Sequence, residues 1–353
     1  MGIGRKSKLF LAASILWVAV LAAGNSRAAA QVLDFRPGSV SNRAAEGVVS
    51  ELTLRRQVAF LADTLCGGRA TSTRGGTEAA FWISRQFSRY DLLPMSPHGY
   101  SRSFVASTKT GSRVGHNIVG MLPGGSTHAR AGQERYIVVM AHYDNVGTLE
   151  GRLYSGADSN ASGVVAMLSL AHMFRSMRLL GRAYPADIIF VGLDAKQLSM
   201  AGAEALYRDI DGGRLVNPRT GTPVRRSQIS LVANLDILGS SLSPLTEGRS
   251  DFLIMLGGSQ SGEHYLRELN ESCGTRLQLG FDYYGSRDFT NLFLNRIGDQ
   301  KIFREQGIPA VLSTSGITMS TNRLTDTVDT LNFAVMRRRV YLIYYWLEKM
   351  MNH

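Results

Sequence analysis

The chain has 353 residues, 44% of them hydrophobic and 19% charged, with a formal charge of +11. Arg5, Lys6, Lys8 and Arg27 lie in the first 30 residues without an acid, which leaves a moderate +7 for the rest. The arginines are scattered, "VRRS" and "RRRV" are only short clusters, and no nucleic-acid motif is present, so a nucleic-acid partner is excluded.

Arg5, Lys6 and Lys8 precede the apolar tract "LFLAASILWVAVLAAG", and "AAA" stands just before Gln31. That order predicts a secretion signal over residues 1–30, removed on export to a periplasmic or extracellular location. The tract is short for a membrane span and no other stretch is long enough, so the cleaved protein is not expected to span a membrane. Residues 31–353 are then expected to form one domain. Residues 31–110 are read as a helical N-terminal part packed on it, because "AAEGVVSELTLRRQVAFLADTL" and "GTEAAFWISRQFSRYDLL" repeat apolar residues three and four apart. A glycine-rich loop, "CGGRATSTRGG", lies between them. Strands and helices then alternate. "HNIVGMLPG" and "RYIVVMAHYD" read as strands, "SGVVAMLSLAHMFRSM" as a helix, "ADIIFVGLD" as a strand and "QLSMAGAEALYRDI" as a helix. "ISLVANLDILG" and "DFLIMLGG" read as strands, "GEHYLRELNESC" as a helix, "IPAVLSTSG" as a strand and "LNFAVMRRRVYLIYYWLEKM" as the closing helix. Apolar strands alternating with amphipathic helices predict an α/β fold: a mostly parallel, mixed central sheet with helices on both faces. Ligands bind such sheets outside the carboxyl ends of the strands. The two cysteines, Cys66 and Cys273, fit no zinc-finger spacing, and the sequence leaves their pairing open.

Polar residues collect where the strands end: His142 and Asp144 in "AHYD", Asp158 in "GADSNASG", Asp236 in "NLDILG". Alone, each is an ordinary strand-end or helix-cap residue. Their order and context together resemble the co-catalytic zinc aminopeptidases, a family whose relatives include bacterial leucyl aminopeptidases and glutaminyl cyclases. The resemblance runs from about Leu61 to the C-terminus and includes "FREQGIPAVLSTSG". It implies a zinc-aminopeptidase-like fold, His142 as a ligand of the first metal, and Asp144 behind it, orienting its ring. It implies Asp158 as the bridge between two metals, and Asp236 as a further ligand of the first.

The remaining positions depart from the family. Its catalytic Glu falls on Lys196, and the neighbouring ligand of the second metal on Gln197. The closing His falls on Asn322, and a Ser-Asp-His common upstream of the last strand reads Gly298-Asp299-Gln300. Gln197 and Asn322 are poor zinc ligands. A divalent ion about 4 Å from an ammonium is repelled by roughly 8 kcal/mol at an effective dielectric near 20. A two-zinc site is therefore not expected. His142, Asp158 and Asp236 leave a set for a single, weakly held zinc at most, and the Lys196 ammonium is expected to stand in for the second cation, paired with Asp158.

A protonated lysine takes no proton from water, so the sequence points to an exported, metallopeptidase-like protein that has lost its chemistry. It is expected to bind a peptide or a small amine-bearing ligand in the vestigial site. The alternative is an active single-zinc aminopeptidase or related amide hydrolase, with Asp194 or Asp299 as its base. "GGSQSG", with Ser259, Ser261 and nearby His264, lacks the spacing of a serine-hydrolase nucleophile elbow.

Overall fold

The computed structural model describes residues 44–109, 111–125, 132–240 and 250–352. The expected secretion signal, residues 1–30, lies outside them. The chain divides into two compact units, Met1–Gly47 and Val48–His353, and everything below concerns the second.

In chain order the helices are α1 (Glu51–Leu61), α2 (Arg74–Arg89), α3 (Gly163–Leu179), α4 (Ala201–Asp211), α5 (Gln260–Ser272), α6 (Arg287–Leu292), α7 (Gln300–Glu305) and α8 (Phe333–Met351). The strands are β1 (Leu93–Pro94), β2 (Ser101–Thr108), β3 (Gly111–Leu122), β4 (Tyr136–His142), β5 (Gly147–Leu149) and β6 (Arg152–Tyr154). They continue with β7 (Asp187–Leu193), β8 (Ile229–Leu235), β9 (Phe252–Leu256), β10 (Gln278–Gly280) and β11 (Ala310–Thr314). Short polar side chains start the helices as the propensities require: Ser50, Thr73, Ser259 and Asn332 each accept a backbone N–H in the first turn of α1, α2, α5 and α8.

The main sheet runs β1-β3-β7-β4-β8-β11-β9-β10, with β2 paired to β3. Its four central strands, β7, β4, β8 and β11, are mutually parallel, and antiparallel pairings flank them. Every residue of β4 and of β7 is buried, the condition of a strand covered on both faces. Alternation along β4 sends Tyr136, Val138 and Met140 to one face, where they join Ala203, Leu206 and Ile210 of α4 and Ile302 and Phe303 of α7 in one apolar cluster. His142 continues that face to the strand end. Helix α3 packs across β4 from the other side and against α8, which buries Tyr344 and Trp346.

Two expectations are corrected. The segment 31–110, expected to be helical, contains β1 and β2, and β2 forms an eight-residue antiparallel pairing with β3. Burial alternates along this strand, but "SRSFVAST" itself does not alternate, and the sequence reading gave that stretch no element. The helix expected from "QLSMAG" onward begins only at Ala201, because Met200 is left-handed with φ 62°. No disulfide links Cys66 to Cys273. Cys66 is buried, and burial pushes its thiol up to about 11.

Candidate functional site

The register of the parallel strands builds the site. In the β4–β8 pair Met140 lies opposite Asn234, so two residues on, His142 faces Asp236. His142 Nε2 is 3.3 Å from Asp236 Oδ1, and its Nδ1 lies 3.0 Å from the Asp144 carbonyl. In the β4–β7 pair His142 lies opposite Leu193, three residues before Lys196. The loop between β7 and α4 turns sharply through Ala195, Ser199 and Met200, all at positive φ. Asp144 fixes that turn: its two oxygens accept the Lys196 and Gln197 backbone N–H groups, each at 3.0 Å. The expected role of Asp144 is thus divided. Its carbonyl orients the His142 ring, its carboxylate lies 3.6 Å from Nδ1, and the same carboxylate holds the loop that carries Lys196.

Lys196 does not pair with Asp158, as the sequence reading expected. Its Nζ is bound directly to Asp236 Oδ2 and lies 3.4 Å from Asp299 Oδ2. The physical reason is that Asp158 faces elsewhere. Its Oδ1 accepts the Gly239 and Ser240 N–H groups at 2.9 and 3.0 Å, in the turn after β8. Asp326 sets this arrangement by accepting the Asp158 and Ser159 N–H groups at 2.7 and 3.0 Å. Asp158 Oδ2 has no hydrogen-bond partner among the described residues.

Asp299 is brought in by its neighbour. Gln300, at the start of α7, accepts from Asn234 of β8 at 2.9 Å and donates to the Phe293 carbonyl at 2.7 Å. These bonds lock Asp299, which is 1% exposed, behind the Lys196 ammonium. Gln300, read as a lost site residue, is a brace. Asp194 is not in the cleft. It accepts from Thr71 Oγ1, from the His116 N–H and from the Ala195 N–H, at 2.8, 3.0 and 2.7 Å, so it is a structural acceptor and not a base. Ser259 caps α5, accepting the Gly262 N–H at 3.1 Å, and meets no histidine.

Above these groups opens a cavity of about 680 Å³ whose walls include His142, Lys196, Gln197, Asp236 and Asn322. Five of the sequence-nominated positions therefore converge on one cleft. Asp158 lies behind it and is represented on the wall by Ser159, whose hydroxyl donates to Asn322 Oδ1 at 3.0 Å.

The charges settle on the lysine. Burial opposes its ionisation, but Asp236 and Asp299 prevail and hold Lys196 above the usual lysine range. Burial raises Asp236, yet Lys196 and His142 outweigh it and hold the carboxyl far below the usual range. Burial and Lys196 both work against protonation of His142, but Asp236 and Asp144 prevail and lift it to about 9. Burial dominates at Asp158 and Asp299 and raises both.

Two buried arginines that the sequence reading missed tie the loops together. Arg69, in the glycine-rich loop, donates to the carbonyls of Leu61, Tyr143, Ser155 and Gly156 at 2.6–2.8 Å. Arg339 of α8 donates to the carbonyls of Leu238 and Ser240 at 2.9 and 2.7 Å, next to the turn that receives Asp158. "CGGRA" and "RRRV" contain them, but nothing in the sequence distinguishes a buried arginine from a solvated one.

The residues can be tested against the divalent metals of the fold. Among the described residues no group of three or more His, Cys, Asp or Glu side chains stands ready to hold a metal ion. Asp236, which would ligate, is occupied by an ammonium, and the second-metal positions hold Gln197 and Asn322. Among the described residues Asp158 Oδ2 and both Asp299 oxygens are buried carboxylate oxygens without a hydrogen-bond partner, and Asp299 faces the Lys196 ammonium at 3.4 Å. A pair of zinc ions does not fit this donor set.

A family model for peptidase family M28 matches residues 117–346. Solved structures share the fold at low identity. The LapA aminopeptidase of Legionella pneumophila is 16% identical with a TM-score of 0.62, over 87% of this chain and 73% of that one. A zinc aminopeptidase of Bacillus subtilis is 13% identical with a TM-score of 0.59, over 85% and 94%. A glutaminyl cyclase of Macrostomum lignano is 16% identical with a TM-score of 0.64, over 91% and 97%.

Proposed function

The chain belongs to peptidase family M28, and on that premise we propose that it is an exported member that binds a short peptide in its cleft without hydrolysing it. One observation carries the reading: the Lys196 ammonium is seated on Asp236, with Asp299 behind it, at the place where the family resemblance puts catalytic machinery. A lysine held protonated has no lone pair to accept a proton from water. General-base assistance is worth about two to four powers of ten in rate. A first metal would have to share Asp236 with a fixed cation. What survives is the cleft itself, large enough for a dipeptide. Export is supported by the basic, then apolar, then small-residue order of residues 1–30. Among the described residues no helix is long and apolar enough to cross a membrane.

The test is zinc analysis of the purified protein, together with turnover of leucine p-nitroanilide and of an N-terminal glutaminyl peptide. The proposal expects less than one zinc per chain and no turnover above background with added zinc. Metal-dependent turnover that His142→Ala abolishes would end it. The alternative, a single-zinc amide hydrolase using Asp299 as base, draws on the place of Asp299 behind the cleft and on the open oxygen of Asp158. It requires Lys196 to leave Asp236, and the same assay tests it.

A further inference from the structure

We infer that the cleft receives its peptide by the C-terminal carboxylate, with an apolar last side chain, and not by the free amine. The inference rests on the reading of the cleft as a non-hydrolytic peptide site and names the end of the peptide that enters.

The charged groups on the wall are Lys196, Arg296 and Lys301 against Asp236 and Glu204, with His142 beside Asp236. Lys196 and Asp236 bind each other, so neither sign dominates at the floor. Above the floor Arg296 makes no ion pair among the described residues. The partner of Lys301 is Glu305 one turn on, at 3.7 Å and 56% exposed, a pair of small energetic weight. Two guanidinium or ammonium groups thus face the cavity with only Glu204 to balance them. An incoming ammonium would meet two like charges, Arg296 and Lys301. A carboxylate would meet donors in the geometry that arginine and lysine recognise.

Around these cations the wall is apolar: Phe293, Ile297, Leu312 and Ile317 line it. Ile297 and Ile317 are each 42% exposed, so apolar area is available to a ligand side chain at the cavity wall. Gln197 and Asn322 line the same cavity and offer side-chain amides, Asn322 Oδ1 already accepting from Ser159, and amides suit a peptide bond better than a plain alkyl chain. One wall therefore holds anion donors, amide partners and an apolar surface in about 680 Å³.

Calorimetry on the full mature chain tests the inference with four probes: N-acetyl-Ala-Leu as the acid, the same compound as the C-terminal amide, Ala-Leu-amide with a free amine, and octanoate. The acid is expected to bind at least tenfold tighter than either amide and tighter than octanoate. Its affinity is expected to fall about tenfold in Arg296→Gln or Lys301→Gln, both on exposed or half-exposed side chains that leave the fold intact. Equal affinity for acid and amide, tighter binding of the free amine, tighter binding of octanoate, no binding of the acid at millimolar concentration, or an acid preference that survives both substitutions together overturns it. None of these readouts depends on turnover. A zinc-dependent hydrolysis rate sinks the non-hydrolytic reading, and a missing carboxylate preference sinks this one alone.

Discussion

At the scale of single residues, Lys196 is where the energetics concentrate. Its ammonium keeps two carboxylates, the buried Asp299 and the mostly buried Asp236, from facing each other uncompensated. Removing one partner of a buried pair costs about 3–5 kcal/mol, while replacing the set by apolar groups of similar volume is often neutral. Lys196→Met is therefore expected to lower the unfolding free energy, read from urea titration, by up to about that amount. Lys196→Met combined with Asp236→Leu should recover part of it, and additive losses in the double variant would refute the coupling. His142 provides a pH signature. Its folded pKa of about 9 lies above its unfolded value, so the folded state binds more protons between the two. The resulting stability is complete below about pH 6.5 and is lost as pH rises through about 9, on the order of 3 kcal/mol in all. Urea midpoints measured across that window should decline, and His142→Asn should flatten the decline.

At the scale of elements, the turn between β7 and α4 decides which groups reach the cleft. Three residues at positive φ make it a strained loop, and Asp144 holds it through two backbone N–H groups. Asp144→Ala leaves both part-buried donors without their acceptor, at up to about 1–3 kcal/mol. Amide exchange at Lys196 and Gln197 should accelerate far more than exchange in β4, and uniform acceleration would mean that the loss is global. The glycines of "CGGRATSTRGG" are equally specific. A Cβ on Gly75 would lie 2.1 Å from the Cys66 carbonyl oxygen, so Gly75→Ala should lower the melting temperature and loosen the loop that positions Arg69. The central strands and long helices were legible because burial on both faces writes continuous apolar runs, as in "YIVVMAH" and "DIIFVGL". β2 was not, because a strand with exposed alternate positions and an arginine in it reads as polar. His142 and Asp236 were nominated by their order and context, and the substituted positions only by the family resemblance. The partner of Lys196 was not. It depends on the β4–β8 register and on the Gln300 brace that brings Asp299 in from more than a hundred residues away.

At the scale of the whole molecule, parallel β7, β4 and β8 bring three loop starts together whatever residues they carry. Such a fold can persist under a change of chemistry, as the proposed loss of hydrolysis requires. If the ammonium stands where cations would, the geometry for a metal is still latent. The family pattern is then recovered by three changes: Lys196→Glu, Gln197→Glu and Asn322→His. Together they remove the fixed positive charge, offer new carboxylates and an imidazole, and free Asp236, all on the wall of one cavity. The triple variant is expected to gain zinc, measurable as bound metal after dialysis and as a rise in melting temperature with added zinc. At a hundred times its Kd a ligand specific to the folded state stabilises by about 2.7 kcal/mol. The unsubstituted protein should show no such rise, since zinc would have to compete with Lys196 for Asp236. A variant carrying only Gln197→Glu and Asn322→His keeps the ammonium and should stay as indifferent to zinc as the parent. If it gains zinc equally, the missing ligands alone explain the site and the lysine is not the substitute cation.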